Sequence, residues 1–174
     1  MMPNRSDIAD LLVNEKLEKL PFRWVSESEV ALPYRGLLCH ERDMTSTLAS
    51  FHDGEVKLEV LREERGASYV REVVLRVSGK VVEFGVISIQ LENFSEELRE
   101  VILAGARPLG ALLNESGMRY LSRPQGYLKI EEEEGALMFF ESLGRKFQFG
   151  RYNVLLDDNE RVLARIIEIL PLEE

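Results

Sequence analysis

Three strand-like segments follow one another closely in the middle of this 174-residue chain, and they restrict its fold more than any other feature. Apolar and polar residues alternate from Val56 to Leu61, which is the pattern of a half-buried strand. A charged turn at 62–66 precedes a second run at 68–77, and a tight turn at 78–80 precedes a third at 81–90. Because short links join consecutive antiparallel strands, we predict an antiparallel meander.

Helical patterns lie on both sides of this meander in the sequence. Asp43 and Ser95 are suitable N-caps for helices whose apolar residues recur at helical spacing, and Pro108 is suited to the first position of another short helix. Ser6 is a possible cap of an amphipathic helix that continues to Leu17. These patterns predict short helices packed on a sheet.

The remaining segments complete an α+β plan. Residues 20–35 contain two prolines and no sustained period, so we interpret them as a connector. The acidic run at 131–134 is typical of a solvated turn. Residues 147–156 and 162–170 predict a final hairpin. We therefore expect an α+β domain with a largely antiparallel sheet.

Length, charge and rare residues narrow the class of protein. The chain is long enough for one domain, which we place at 1–174. A net charge of −9 argues against binding to nucleic acid or to an anionic membrane. No apolar stretch or leader predicts a membrane span or export, so we expect a cytoplasmic protein. Cys39, His40 and His52 are too few for a typical zinc site, and we predict no metal.

Arg71 is the most informative single residue. Because alternate residues of a strand share a face, Arg71 lies on the same face as Tyr69, Val73, Leu75 and Val77. All four of these neighbours can pack in a core, and Arg71 is the only charge among them. A guanidinium keeps its proton and is costly to bury alone. Arg71 therefore predicts either a carboxylate of the protein beside it or an anion from outside.

Glu168 is a second charge in an apolar stripe, because it shares a face of the last strand with Ala164, Ile166 and Leu170. The simplest interpretation is that Arg71 and Glu168 form an ion pair, or extend to the edge of the sheet, and have no chemical role. The alternative is that both face a bound ligand.

The order of several short motifs resembles the chorismate pyruvate-lyase family, in its archaeal and bacterial branch. The match runs from about residue 36 to 171 and leaves 1–35 as an N-terminal helix and connector. The motifs that carry the resemblance are Asp43-Met44-Thr45, Tyr69-Val70-Arg71-Glu72-Val73, Phe84-Gly85, Arg107-Pro108-Leu109-Gly110, Phe149-Gly150-Arg151 and Ile167-Glu168-Ile169-Leu170-Pro171.

The resemblance implies a six-stranded antiparallel sheet with helices on one face and an enclosed site for an aromatic or cyclohexadienyl carboxylate beneath two helical flaps. It implies that Arg71 holds the ring carboxylate and that Glu168 faces the ring oxygen, while Met44 and Leu109 contact the ligand. Arg151 is a candidate second cation for the substrate, although an arginine at the surface end of a strand fits its position equally well.

Two functions follow from the resemblance. The first is a cofactor-independent lyase that eliminates pyruvate from chorismate to give 4-hydroxybenzoate, or a close relative that acts on a similar ring carboxylate, with Arg71 and Glu168 as catalytic residues. The second is a non-catalytic domain that binds small aromatic carboxylates, because the same fold serves as the sensing part of certain bacterial transcription regulators. About 35 residues precede the matching region, fewer than a helix-turn-helix domain with a linker needs, so we expect no DNA-binding domain here. A purely structural protein is the third possibility, and the sequence leaves the oligomeric state open.

Overall fold

The computed structural model of the protein describes residues 2–12 and 15–173. Seven strands form its sheet, and six α-helices and four short 3₁₀ helices accompany them in the described ranges. The strands are β1 (Phe22–Val25), β2 (Val56–Arg65), β3 (Tyr69–Val77), β4 (Lys80–Ile89), β5 (Leu121–Ile130), β6 (Phe147–Leu156) and β7 (Val162–Pro171). The α-helices are α1 (Glu15–Glu18), α2 (Tyr34–Leu38), α3 (Met44–Phe51), α4 (Glu96–Leu103), α5 (Leu109–Ser116) and α6 (Glu134–Phe140).

The sheet has the order β1-β5-β6-β7-β4-β3-β2, and all neighbouring strands are antiparallel. The predicted meander is β2, β3 and β4, and the predicted final hairpin is β6 and β7. Because β7 pairs with β4, the hairpin joins the meander in one continuous sheet. The α+β class and the antiparallel sheet are thus confirmed.

The sheet contains one strand more than the six expected, because the segment at 20–35 is more than a connector. Residues Phe22–Val25 form β1 and pair with the end of β5, from Tyr127 to Ile130. β5 itself carries no clear alternation, since Pro124 and Gly126 interrupt it and its pairing with β6 shifts register between them. Proline cannot donate a ladder hydrogen bond, which explains why the sequence pattern there is weak.

The charged turn predicted at 62–66 is also strand, because β2 continues to Arg65. This part of β2 lies at the edge of the sheet and is exposed. Charged side chains are common on edge strands, where they discourage pairing with other chains.

Helices cover both faces of the sheet, whereas the resemblance implied one. On one face, Val74, Phe84 and Ile167 pack with Ile8 and Leu11 of the N-terminal segment and with α6. α6 begins at Glu134, within the acidic run expected to be a turn. The predicted helix at Ser6–Leu17 is a 3₁₀ helix at Arg5–Ile8 followed by α1, and residues 13 and 14 between them lie outside the described residues.

The opposite face carries α2, α3, α4 and α5. At one end α2 and α3 pack on Leu75, Val77 and Phe149, and at the other α4 and α5 pack on Ile87 and Ile89. The caps predicted for two of these helices are present, with Asp43 accepting a hydrogen bond from Ser46 N–H at 2.8 Å and Ser95 accepting one from Leu98 N–H at 3.3 Å. Between the two apolar clusters this face is polar, and it is there that the candidate site lies.

Candidate functional site

A row of buried polar side chains crosses the centre of this face. Its members are Arg71 on β3, Glu83 on β4, Glu168 on β7, and Arg151 and Asn153 on β6. The pairing of the strands explains why they meet: Gly85 lies opposite both Val73 and Glu168, and Glu168 lies opposite Arg151. Arg71 is two residues from Val73, and Glu83 is two residues from Gly85. Because alternate residues share a face, both side chains lie on this face, on opposite sides of the Val73–Gly85 pair.

A cavity of about 60 Å³ lies over these side chains, beneath the start of α3 and the start of α5. Asp43, Met44 and Thr45 line it from α3, and Pro108, Leu109 and Gly110 line it from α5. The sheet contributes Arg71, Glu83, Asn153 and Glu168 together with the apolar residues Leu58, Val73, Leu75, Gly85, Ile87, Leu155 and Ile166. For comparison, a benzene ring is bound in a dry cavity of ~150 Å³, so an aromatic ring requires the two helices to move outward.

Arg71 is buried in this cavity, with 2% of its surface exposed. Its terminal nitrogens donate long hydrogen bonds of 3.4 Å to the carbonyl oxygens of Ile102 and Arg107, and its Nε has no partner. Burial lowers the pKa of the Arg71 guanidinium, although Tyr69 and Glu63 oppose that shift. An arginine remains charged over the working pH range of a protein, so Arg71 is a buried cation with free donor capacity.

The nearest carboxylate on the neighbouring strand does not neutralise Arg71 by direct contact. Glu63 lies opposite Arg71 on β2, but it accepts a hydrogen bond of 2.6 Å from the Tyr69 hydroxyl and pairs with Arg65 at 3.5 Å. Within residues 2–12 and 15–173, no carboxylate lies within 4.0 Å of the Arg71 guanidinium. The interpretation of an Arg71–Glu168 ion pair is therefore wrong.

Glu168 pairs with Arg151 instead. The Arg151 Nε donates a short hydrogen bond to Glu168 Oε2, and both side chains are buried. The terminal nitrogens of Arg151 donate to the carbonyl oxygens of Leu38, His40 and Arg42, at 3.3, 2.9 and 3.2 Å. Arg151 is fully buried rather than at the surface, and it joins the sheet to the segment between α2 and α3.

Glu83 is a site residue that our sequence analysis missed. It is 4% exposed, it lines the cavity, and its Oε2 has no hydrogen-bond partner. Burial raises the pKa of Glu83 well above its usual value, the neighbouring Glu168 raises it further, and Arg151 opposes the shift. The signal was available, because Glu83 is the single acid in the run Val81-Val82-Glu83-Phe84-Gly85-Val86-Ile87, just as Arg71 is a charge in an apolar stripe.

Asn153 is a second cavity residue that the sequence analysis missed. Its amide nitrogen donates a hydrogen bond of 2.9 Å to the Ser122 hydroxyl on β5, within the same polar row. Its position opposite Ile166 follows from the pairing of β6 with β7, which the sequence alone does not specify.

Four of the five predicted site residues line one cavity, namely Met44, Arg71, Leu109 and Glu168. Arg151 lies behind Glu168 and does not line it. Their predicted roles toward a ligand are not tested by this placement. In the described part of the chain, no cluster of three or more His, Cys, Asp or Glu side chains could hold a metal ion. Nor is any helix there long and apolar enough to cross a membrane.

The fold and the site together place the protein in a structural class. An antiparallel sheet with helices over a buried polar cavity is the chorismate lyase-like α+β fold. No protein-family model matches the sequence. No curated protein matches it either.

The similar solved structures include the effector domain of PhnF from Mycobacterium smegmatis, with a TM-score of 0.52 and 14% identity over 75% of this chain and 88% of that domain. The longer PhnF chain gives a TM-score of 0.50 and 14% identity over 74% of this chain and 63% of that chain. The gene product SA0254 of Staphylococcus aureus gives 0.52 and 9% identity, over 76% and 90%. At these identities the likeness establishes the fold.

The prediction that the protein is a chorismate pyruvate-lyase is wrong. The similar solved structures named above include an effector domain, and none of them is named as a lyase. The site gives a physical reason as well, since Glu168, which was to handle a proton, is ion-paired with a fully buried arginine.

Proposed function

We propose that this chain is a non-catalytic ligand-binding domain that holds a small organic carboxylate, with Arg71 as the group that binds the acid. One observation carries the proposal: Arg71 is a buried cation that lines a cavity and has an unpartnered Nε. The two long hydrogen bonds to carbonyl oxygens leave the buried charge of Arg71 without an acid partner, and a carboxylate can accept two parallel hydrogen bonds from a guanidinium. A bound carboxylate would supply the hydrogen-bond acceptor that Arg71 Nε lacks.

The effector domain of PhnF supports a role in sensing rather than in catalysis, because it has the same fold. A sensor needs only that binding changes the stability or position of an element. α3 and α5 meet the requirement, because both close the cavity and neither has to take part in chemistry. The predictions that the chain is cytoplasmic and that it binds no nucleic acid remain predictions, and the net charge of −9 supports the second of them.

The size of the cavity bears on the ligand. About 60 Å³ suits a carboxylate of a few carbon atoms, whereas an aromatic carboxylate requires α3 and α5 to open. We therefore place short aliphatic carboxylates first and aromatic carboxylates second among the ligands to be tested.

Thermal unfolding and calorimetry with a panel of acids test this function. The panel runs from acetate and butanoate to benzoate and 4-hydroxybenzoate, with phosphate and sulfate as inorganic anions. A ligand that binds only the folded state raises stability by ~2.7 kcal/mol at one hundred times its dissociation constant. We expect at least one carboxylate to do so, and binding of the inorganic anions alone would contradict the choice of a carboxylate.

Substitution of Arg71 makes the test specific. We expect Arg71→Met to weaken binding about 10–100-fold, as loss of a charged hydrogen bond predicts. Arg71→Lys should retain only part of the wild-type affinity, because lysine cannot form the bidentate pair with a carboxylate. Arg119→Met is the matched control, because the Arg119 side chain is 85% exposed. Equal affinity in wild type and Arg71→Met, with both proteins folded, would overturn the proposal.

A further inference from the structure

Glu83 is a second side chain in the cavity that has a polar atom without a hydrogen-bond partner, and it is an acid where Arg71 is a base. Both side chains line the cavity, both are almost fully buried, and each has one atom without a hydrogen-bond partner, Nε in Arg71 and Oε2 in Glu83. Buried polar groups are nearly always hydrogen-bonded, so two such atoms in one cavity call for a bound molecule. The assignment of Arg71 to a carboxylate leaves Glu83 unexplained.

The position of Glu83 defines the far end of that molecule. Arg71 lies opposite Ile87, whereas Glu83 lies opposite Leu75, four residues further along β3. Four residues of strand span about 13 Å. The Glu83 carboxyl leans back toward the middle, because its Oε1 is only 3.2 Å from where a Cβ on Gly85 would lie. A ligand between the two groups therefore meets a cation at one end and a carboxyl group at the other.

The surroundings of Glu83 determine its charge. Gly85, over which the Glu83 carboxyl lies, is paired directly with Glu168, so two carboxyl groups share this part of the cavity. Arg151 is the cation beside them, but its Nε is bound to Glu168 and its terminal nitrogens to backbone carbonyls. The other charged groups that line the cavity are Arg71 and Asp43. Because Arg151 is engaged by Glu168 and by backbone carbonyls, Glu83 has a carboxyl group as its neighbour and no cation bound to it, which favours its neutral form.

We propose that Glu83 is a specificity-determining residue whose neutral carboxyl group donates a hydrogen bond to an oxygen atom at the far end of the ligand, so that the cavity selects carboxylates bearing a distal hydroxyl or carbonyl. This inference rests on the proposed function, because Arg71 must hold the carboxylate for Glu83 to meet the other end. A single negative charge on the ligand balances Arg71. A second acid group at the distal end would meet the carboxyl groups of Glu83 and Glu168, which disfavours dicarboxylates. A distal ammonium would require Glu83 to ionise beside Glu168.

Matched pairs of ligands test the inference by calorimetry on the intact protein. The pairs are 3-hydroxypropanoate with propanoate, 4-hydroxybutanoate with butanoate, and 4-hydroxybenzoate with benzoate. We expect the hydroxyl to improve affinity about 5–10-fold in at least one pair, which is the value of one net hydrogen bond. We expect 4-aminobutanoate to bind more weakly than 4-hydroxybutanoate at neutral pH.

Two variants assign the preference to Glu83. Glu83→Leu removes the donor and is expected to abolish the preference for the hydroxyl while leaving the affinity for the deoxy partner unchanged. Glu83→Gln keeps a donor of the same shape and is expected to retain the preference. Both variants remove a buried ionisable group, so they should fold, which circular dichroism checks.

The outcomes separate the two proposals. If carboxylates bind through Arg71 but the hydroxyl makes no difference, or if Glu83→Leu keeps the preference, the inference about Glu83 is overturned and the proposed function stands. If 4-aminobutanoate binds as tightly as 4-hydroxybutanoate, the neutral state of Glu83 is overturned. If no carboxylate in the panel binds, the proposed function fails and the inference fails with it.

Discussion

Arg71 and Glu83 each oppose folding in the absence of a ligand. A charged or polar group taken from water without a compensating hydrogen bond costs free energy, and each of these side chains has a buried atom without a partner. Such residues persist where function requires them, since packing alone would favour apolar side chains. The stability of the protein should therefore depend on how their charge is controlled.

Substitution of Glu83 is expected to change how stability depends on pH. The folded-state pKa of Glu83 is raised well above the usual value near 4.5. Below that usual value the group is protonated in both states, and its ionisation does not affect stability. As pH rises past it, the unfolded chain releases the proton and the folded protein keeps it, so stability falls by up to about 1.4 kcal/mol per pH unit until the folded pKa is reached.

Urea unfolding of wild type and Glu83→Gln between pH 4 and pH 8 measures this effect. The variant should gain stability relative to wild type as pH rises from about 4.5, and the difference should be smallest at pH 4. Glu100→Gln is the control, because Glu100 is exposed on α4. A difference that does not vary with pH would mean that Glu83 titrates alike in both states.

At the scale of elements, the ion pair of Arg151 and Glu168 connects the sheet to the helices above it. Arg151 donates to the carbonyl group of Leu38 at the end of α2 and to two carbonyl groups of the segment that joins α2 to α3, and its Nε donates to Glu168. α3 begins at Met44, directly after this segment, and Met44 lines the cavity. The pair thus positions one of the two helices that close the site.

Loss of Arg151 is expected to be costly. Arg151→Met leaves Glu168 buried without its cation, and breaking a buried pair on one side lowers the free energy of unfolding by about 3–5 kcal/mol. Chemical denaturation measures the change. Arg123→Met is the matched control on the neighbouring β5, because Arg123 forms an exposed pair with Glu160 at 3.4 Å, and such pairs contribute only ~0–1 kcal/mol. Similar losses in both variants would show that the buried pair has no special role.

At the scale of the whole molecule, the N-terminal segment is part of the core. Ile8 and Leu11 are fully buried against the face of the sheet that lies away from the cavity, where they pack with residues of β3, β4 and β7. The sheet is therefore covered on both sides, and the polar row is on only one of them.

Leu11→Ala measures the contribution of that segment. We expect it to lower the free energy of unfolding by about 2–5 kcal/mol, as for other buried leucines. Leu32→Ala is the matched control, because Leu32 is 76% exposed and a surface substitution changes stability by ~0.5 kcal/mol or less. Equal stability of the two variants in denaturant unfolding would contradict a structural role for the N-terminal segment.

The order of strands and helices in the middle of the chain was predictable because the signals are local. Alternation identifies β3 and β4, and Asp43 and Ser95 mark the starts of α3 and α4. β1 and β5 were missed, since a four-residue strand and a strand interrupted by proline carry little pattern. Such strands form because a neighbouring strand offers its hydrogen bonds, which depends on the tertiary structure.

The sequence by itself determined that Arg71 and Glu168 each break an apolar stripe, because the direction of a side chain follows from its position along a strand. Only the tertiary structure decided which charges meet. β7 lies between β4 and β6, so Glu168 is placed beside Arg151, while Arg71 remains at the cavity without a carboxylate partner and Glu83 joins it there. Strand order is set by contacts between residues far apart in the chain, and no local pattern encodes them.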